Sequence, residues 1–195
     1  FEMGYGASEC KLNIPTKLSS ASGVAAPFSC FFEFRPLDGG MPLCMWEVTD
    51  GVCYELIVTT YSGLYRYNLQ DIVRIDGFVG KTPNIVFCGK STEFVTAGEK
   101  KIYGYQFADL LHQIERKKQC QFDIVQVYAD REGFAYVLES KDAVDYAVIK
   151  QELDQQTMQL WGVSSCGVYV MMHSYKDEQF TARTRVDRGA CGIKL

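Results

Sequence analysis

Groups that could bind a nucleotide lie together near the start of the chain, in the run Tyr5-Gly6-Ala7-Ser8-Glu9. An aromatic ring can stack on a base, a hydroxyl can contact a phosphate, and a carboxylate can hold a hard divalent cation. Glycines at 4 and 6 permit a tight turn in which the backbone approaches a ligand closely. The run predicts a nucleotide loop, although an ordinary surface loop can also contain these residues.

A second candidate segment runs from Tyr54 to Asp71. An ionised carboxylate only accepts hydrogen bonds, so Asp71 could accept from both hydroxyls of a ribose. Arg66 could offer a fork of donors to a phosphate or a carboxylate. The alternative interpretation is a strand that carries an exposed charge pair.

Two lysines follow glycines farther along the chain. Gly89-Lys90 favours a hinge that absorbs a backbone rotation, and an ordinary hairpin with a basic face is the alternative. Lys194, in the glycine-rich run 189–194, could stabilise negative charge in a phosphoryl or acyl transition state. A frayed terminus with a solvated lysine explains that run equally well.

The elements that must position these groups change in kind near residue 89. Residues 1–88 alternate short β-prone runs with turn signals, which predicts a twisted antiparallel sheet or a small barrel. Residues 89–195 predict a hairpin, two helices and three strands, with Asp142 capping the second helix and Asp145 in its first turn. We therefore expect an α+β protein with strands or helices at 28–34, 43–48, 53–61, 64–67, 71–75, 84–88, 93–96, 100–103, 107–118, 122–128, 134–138, 143–160 and 166–173.

The composition excludes several classes. The 195 residues are 47% hydrophobic and 23% charged, which suits a folded core rather than disorder. A net charge of −4 does not favour nucleic acid or an anionic membrane as a partner. Eight scattered cysteines without a CxxC pair predict buried free thiols and a cytoplasmic protein, and two histidines exclude a histidine-rich metal site.

In this order, the motifs resemble those of the adenylate-forming enzymes. The nearest likeness is to the acyl acid–amido synthetases of the Gretchen Hagen three family. Tyr5–Glu9 is similar to the superfamily's Tyr-Gly-x-Thr-Glu. The segment Tyr54–Tyr67 closely resembles that family's Tyr-Glu-Leu-Val-Val-Thr-Thr-Tyr-x-Gly-Leu-Tyr-Arg-Tyr. Further likenesses are Phe32–Phe34 to its Phe-Glu-Phe-x-Pro, Phe87–Lys90 to its Phe-x-Gly-Arg, and Gly98–Lys100 to its Gly-Glu-Lys.

The resemblance implies a role for each candidate residue. Such enzymes join a carboxylic acid to AMP, release pyrophosphate, and pass the acyl group to an amine, so ATP and Mg²⁺ are the implied cofactors. Tyr5 would stack on adenine, with Gly6, Ala7 and Arg66 also at the nucleotide. Ser8 would contact the α-phosphate, Glu9 would hold Mg²⁺, and Asp71 would bind the ribose. Lys90 would lie at the hinge, and Lys194 would support adenylation.

The resemblance also implies how the chain is organised. Residues 1–88 would be the β-rich end of the large adenylating domain, and residues 89–195 the small mobile C-terminal domain. The implied partners are a small carboxylic acid, an amine or amino acid, and the upstream part of the large domain. The chain alone would be inactive. The alternatives are an aryl- or acyl-CoA ligase and a non-catalytic nucleotide-binding module.

Overall fold

The computed structural model of the protein describes residues 4–16, 20–130, 133–140, 145–163, 165, 167–172 and 192–194. The chain divides into two compact units, unit 1 from Phe1 to Thr92 and unit 2 from Glu93 to Leu195. Lys90 therefore belongs to unit 1. The assignment of these units to a large and a small mobile domain stays a prediction.

Unit 1 is a seven-stranded sheet in which every neighbouring pair is antiparallel, in the order β1-β2-β7-β6-β5-β3-β4. The predicted antiparallel arrangement is thus confirmed, and several strands are longer than the sequence indicated. The strands are β1 Asn13–Pro15, β2 Gly23–Ala25, β3 Cys30–Pro36, β4 Leu43–Cys44, β5 Cys53–Thr60, β6 Tyr67–Val79 and β7 Thr82–Lys90.

The sheet of unit 1 has two distinct faces because successive side chains of a strand point to opposite sides. The inner face carries the core, and its buried members include Phe32, Phe34, Leu56, Val58, Val73, Ile75 and Ile85. The opposite, outer face carries Glu33 and Arg35 from β3 and Glu55 and Ile57 from β5, which are paired across the two strands. Any side chain of these strands therefore belongs to one face or the other.

Two predicted strands of unit 1 are wrong in extent. The strand expected over 43–48 ends at Cys44, because the Cys44 amide donates to the Glu47 carboxylate at 2.6 Å and closes a turn. The strand expected over 64–67 is a turn up to Arg66, whose φ of 50° lies in the left-handed region. In both places a local side-chain or backbone bond competes with the sheet ladder.

Unit 2 combines a hairpin, a four-stranded sheet and two helices, so the predicted α+β class is confirmed. The sheet order is β12-β11-β10-β13; β12 runs parallel to β11, and helix α2 lies between them in sequence. The elements are β8 Phe94–Ala97, β9 Lys100–Tyr103, α1 Gly104–Lys118, β10 Phe122–Asp130, β11 Gly133–Ser140, α2 Tyr146–Trp161, β12 Gly167–Met172 and β13 Gly192–Lys194.

Helix α2 begins later than the sequence indicated. Asp145, expected inside its first turn, is the N-cap and accepts from the amides of Ala147 and Val148 at 3.0 and 3.4 Å. The expected cap, Asp142, lies outside the described residues. Both helices pack against the sheet through an aromatic core in which Phe107, Phe134, Tyr136 and Trp161 meet edge to face.

Candidate functional site

The loop that carries Tyr5 is fixed by backbone hydrogen bonds. The Tyr5 carbonyl accepts from the amides of Leu12 and Asn13 at 3.1 and 3.0 Å, and the Tyr5 amide donates to Asn13 Oδ1 at 2.6 Å. Asn13 is fully buried, and its Nδ2 donates to the Ile85 carbonyl of β7 at 3.0 Å. The loop is therefore attached to the sheet, and Tyr5 is held in one position.

Three predicted site residues meet at the inner face of the sheet. The Tyr5 hydroxyl donates to Asp71 Oδ2 at 2.5 Å, and the Lys90 ammonium forms an ion pair with Asp71 Oδ1. Asp71 and Lys90 lie opposite each other on β6 and β7, so the sheet register brings them together. Tyr5, Asp71 and Lys90 form what we call the carboxylate cluster.

The burial within the carboxylate cluster is uneven. The side chain of Asp71 is 5% exposed, whereas that of Lys90 is 47% exposed. Burial, followed by the hydrogen bond to Asp71, raises the pKa of Tyr5 well above its usual range. Tyr5 therefore remains a protonated donor, and its ring lies 5.3 Å from the ring of Phe87, which is 42% exposed. A buried carboxylate beside an accessible aromatic pair suits a ligand that has hydroxyl groups and a flat ring.

The rest of the Tyr5 loop presents its polar groups outward. Gly6 and Ser8 are exposed, Glu9 is half-buried, and Ala7 packs against the core of unit 1. Among the described residues no three acidic, histidine or cysteine side chains cluster as a metal site. Mg²⁺ usually keeps several waters and uses one or two carboxylates together with substrate phosphates. A single carboxylate such as Glu9 fits that mode, and it does not suit a metal held by protein groups alone.

Arg66 does not join the carboxylate cluster. Its Nε and Nη2 bond to the two carboxylate oxygens of Glu33 at 3.0 and 2.8 Å, which places it at the outer face. Asp71 lies on the inner face, because its neighbour Ile72 pairs with the outer-face residue Glu55. The two groups that the sequence placed in one segment are thus on opposite sides of the sheet.

The remaining predicted residue, Lys194, ends the short strand β13 opposite Gln126 of β10. It lies in unit 2, as do Gly98 and Lys100 of the β8–β9 hairpin. Lys100 donates through Nζ to the Trp161 carbonyl at 2.9 Å, a contact that anchors the hairpin to the end of α2. The hairpin lysine thus has a structural partner within its own unit.

Two residues of the site went unrecognised in the sequence. Phe87 was assigned only to a strand and a motif, although its position three residues before Lys90 on a strand next to Asp71 brings its ring to Tyr5. Asn13 gives no sequence signal, since its role is to satisfy buried backbone groups that lie 8 and 72 residues away. Phe87 could have been found by pairing the sequence of β7 with that of β6 as neighbouring antiparallel strands.

Comparisons with known proteins agree with the sequence resemblance. Residues 23–90 match the model of the GH3 family central domain. The chain is 37% identical over 101 residues to a probable indole-3-acetic acid-amido synthetase of Arabidopsis thaliana, covering 50% of this chain and 17% of that protein. It is 48% identical over 63 residues to a jasmonoyl–L-amino acid synthetase of Nicotiana attenuata, covering 29% of this chain and 11% of that protein. The match thus spans less than a fifth of these relatives.

Solved structures share the fold over a larger part of the chain. An acyl acid amido synthetase solved with 2,4-DB superposes with a TM-score of 0.66 at 20% identity, covering 94% of this chain and 37% of that one. MatB from Rhodopseudomonas palustris with bound ATP superposes with a TM-score of 0.60 at 16% identity, covering 94% and 40%. At such identities the likeness establishes the fold alone.

Proposed function

We propose that this chain forms part of an ATP-dependent ligase of the GH3 family, a proposal supported by the match of residues 23–90 to that family's central domain. The ligase would adenylate a small carboxylic acid and transfer the acyl group to an amine or amino acid. The observation that carries the proposal is the buried Asp71 carboxylate with Tyr5 and Lys90 at its two oxygens. We propose ATP and Mg²⁺ as cofactors.

The carboxylate cluster has the chemistry that a nucleoside requires. Asp71 is acceptor-only when ionised, so its oxygens suit the paired hydroxyls of a ribose. The Tyr5–Phe87 pair offers a partly exposed aromatic surface for a base. Because Asp71 is covered in this conformation, ribose binding requires the ammonium of Lys90 or the hydroxyl of Tyr5 to shift. Lys90 is the more exposed of these groups, and we propose that it shifts first.

The groups for charge stabilisation would come from the same loop. Ser8 is exposed and could contact the α-phosphate, and Glu9 could hold Mg²⁺ through one oxygen. When bound, the metal would offset charge that develops on the phosphate oxygens. Lys194 remains our candidate for the lysine that supports adenylation, and Lys90 for the hinge.

The described residues contain no helix that is long and apolar enough to cross a membrane. We propose a cytoplasmic enzyme whose partners are its small substrates and the upstream part of the large domain. We also propose that the 195-residue chain alone does not turn over.

The test is ATP–pyrophosphate exchange, followed by the mass of the product, with a protein of the relatives' full length that contains this chain. Asp71→Asn keeps the shape of the side chain and removes its charge, and we expect it to lower exchange at least about tenfold. Asp76→Asn, an exposed position on the same strand, is the matched control and should leave exchange unchanged. An amide product supports the proposal, whereas a thioester with coenzyme A as the acceptor contradicts it.

The chain alone is the second sample in this assay. We expect no exchange from it, because the resemblance implies that the upstream part of the large domain is needed as a partner. Robust exchange by the chain alone would overturn the proposal that it is inactive.

A further inference from the structure

A cleft on the outer face of unit 1 is separate from the carboxylate cluster. It is open, has a volume of about 380 Å³, and is lined by Arg35, Gly40, Met41, Pro42, Ile57 and Arg66. We call it the arginine cleft. Its lining combines two guanidinium groups with the apolar side chains of Met41, which is exposed, and Pro42, which is half-buried, while Ile57 beneath them is buried.

Each arginine of the cleft is oriented by a more buried glutamate. Glu33 uses both carboxylate oxygens to hold Arg66, at 3.0 and 2.8 Å. Glu55 holds Arg35 at 2.9 Å through one oxygen and accepts from the Ser91 hydroxyl through the other. The glutamate side chains are 14% and 13% exposed, whereas Arg66 and Arg35 are 43% and 40% exposed.

This arrangement leaves donors that face the cleft. A guanidinium has more N–H groups than one carboxylate can accept. Among the described residues, no hydrogen bond or ion pair other than those to the two glutamates engages the guanidinium N–H groups of Arg35 and Arg66. The carboxylates are thus occupied and sunk into the sheet, while the arginines keep further N–H groups for an incoming acceptor.

The backbone around the cleft is also specialised. Arg66 has a φ of 50°, a left-handed conformation that is unfavourable for a residue with a side chain, and its amide is held by Thr59 Oγ1 at 3.0 Å. Gly39 and Gly40 have φ values of 97° and 121°, which permit the turn that leads into Met41 and Pro42. These backbone conformations fix the course of the chain on two sides of the cleft.

We propose that the arginine cleft binds a small organic carboxylate that bears a short apolar chain. A guanidinium group matches the two oxygens of a carboxylate through paired, charge-assisted hydrogen bonds, and the cleft offers two such groups. The apolar part would contact Met41 and Pro42, a surface that an inorganic phosphate would not use. The cleft volume suits a small molecule. This proposal does not depend on the proposed ligase activity, because the carboxylate cluster lies on the other face of the sheet.

The experiment is a titration of the ¹⁵N-labelled chain with isovalerate, followed by amide chemical shifts. Isovaleramide, which has the same shape without charge, and inorganic phosphate are the comparison probes. Two double variants remove one guanidinium each without leaving its carboxylate unpaired: Arg66→Gln with Glu33→Gln, and Arg35→Gln with Glu55→Gln. Arg116→Gln, an exposed arginine on α1, is the matched control.

We expect saturable shifts at Ile57 and Arg66 with isovalerate and none with isovaleramide. Each double variant should weaken binding at least about tenfold, and Arg116→Gln should not change it. Shifts elsewhere in the variant spectra report whether the sheet still folds. The absence of saturation, equal binding of the amide, tighter binding of phosphate, or undiminished binding by both folded double variants would each overturn the proposal.

Discussion

Tyr5→Phe gives the sharpest test of the carboxylate cluster. The substitution keeps the ring on Phe87 and removes only the hydroxyl that donates to Asp71 at 2.5 Å. Hydrogen bonds to charged groups contribute about 1.5–3 kcal/mol, and the 5% exposure of Asp71 prevents water from replacing the donor fully. The ion pair with Lys90 remains and offsets part of the loss. We therefore expect the free energy of opening of β6 and β7 to fall by about 1.5–2.5 kcal/mol.

The assay is native-state hydrogen exchange of the amides of β6 and β7, which reports the opening of unit 1 without assuming that both units unfold together. A double-mutant cycle with Asp71→Asn isolates the pair, and Tyr61→Phe, at a position that is 90% exposed, is the control. Tyr5→Phe should lose most of its effect in the Asp71→Asn background. A loss no larger than that of Tyr61→Phe, or equal losses in both backgrounds, would refute the reasoning.

Three further predictions concern packing and charge. Tyr136→Phe should keep or raise the melting temperature, because the Tyr136 hydroxyl is buried without a partner among the described residues; a loss of several degrees would contradict this. Gly23→Ala should lower the free energy of unfolding by about 1–3 kcal/mol in urea, since its Cβ would lie 2.5 Å from the Ile14 carbonyl oxygen; an unchanged midpoint would contradict this. Hydrogen bonds to the Glu152 carboxylate, the strongest of them from Lys117, lower the pKa of Glu152 to about 2. The stability that these hydrogen bonds contribute is fully present above pH 4.5, the ordinary pKa of a glutamate, and is lost as the pH falls towards 2. The stability difference between Lys117→Met and the original chain should vanish over that interval, and a difference that persists at pH 2 would count against it.

The sequence predicted the elements of this fold better than their edges. Cys53–Tyr61 and the hairpin at 93–103 were placed to within about a residue, because an uninterrupted β-prone run bounded by turns has few other solutions. The strands β1 and β2 were missed, since three residues carry too little periodicity to be recognised. The start of α2 was displaced because two aspartates could each cap a helix there, and local pattern does not choose between them.

The candidate site shows more clearly that a local sequence pattern does not reveal which distant residues meet. Asp71 and Tyr5 were both singled out, but they are 66 residues apart, and only the sheet register brings them to Lys90. Arg66 was grouped with Asp71 on the basis of their proximity in sequence. It stands in a left-handed turn before β6, so strand alternation does not determine its side, and Glu33 holds it on the outer face.

The most direct test of the central proposal is where AMP binds on the ¹⁵N-labelled chain. At millimolar AMP we expect the amide shifts to concentrate at Tyr5, Asp71 and Phe87, and to disappear in Asp71→Asn but not in Asp76→Asn. Shifts confined to the arginine cleft, or an unchanged response in Asp71→Asn, would contradict the proposal that the carboxylate cluster holds the nucleotide.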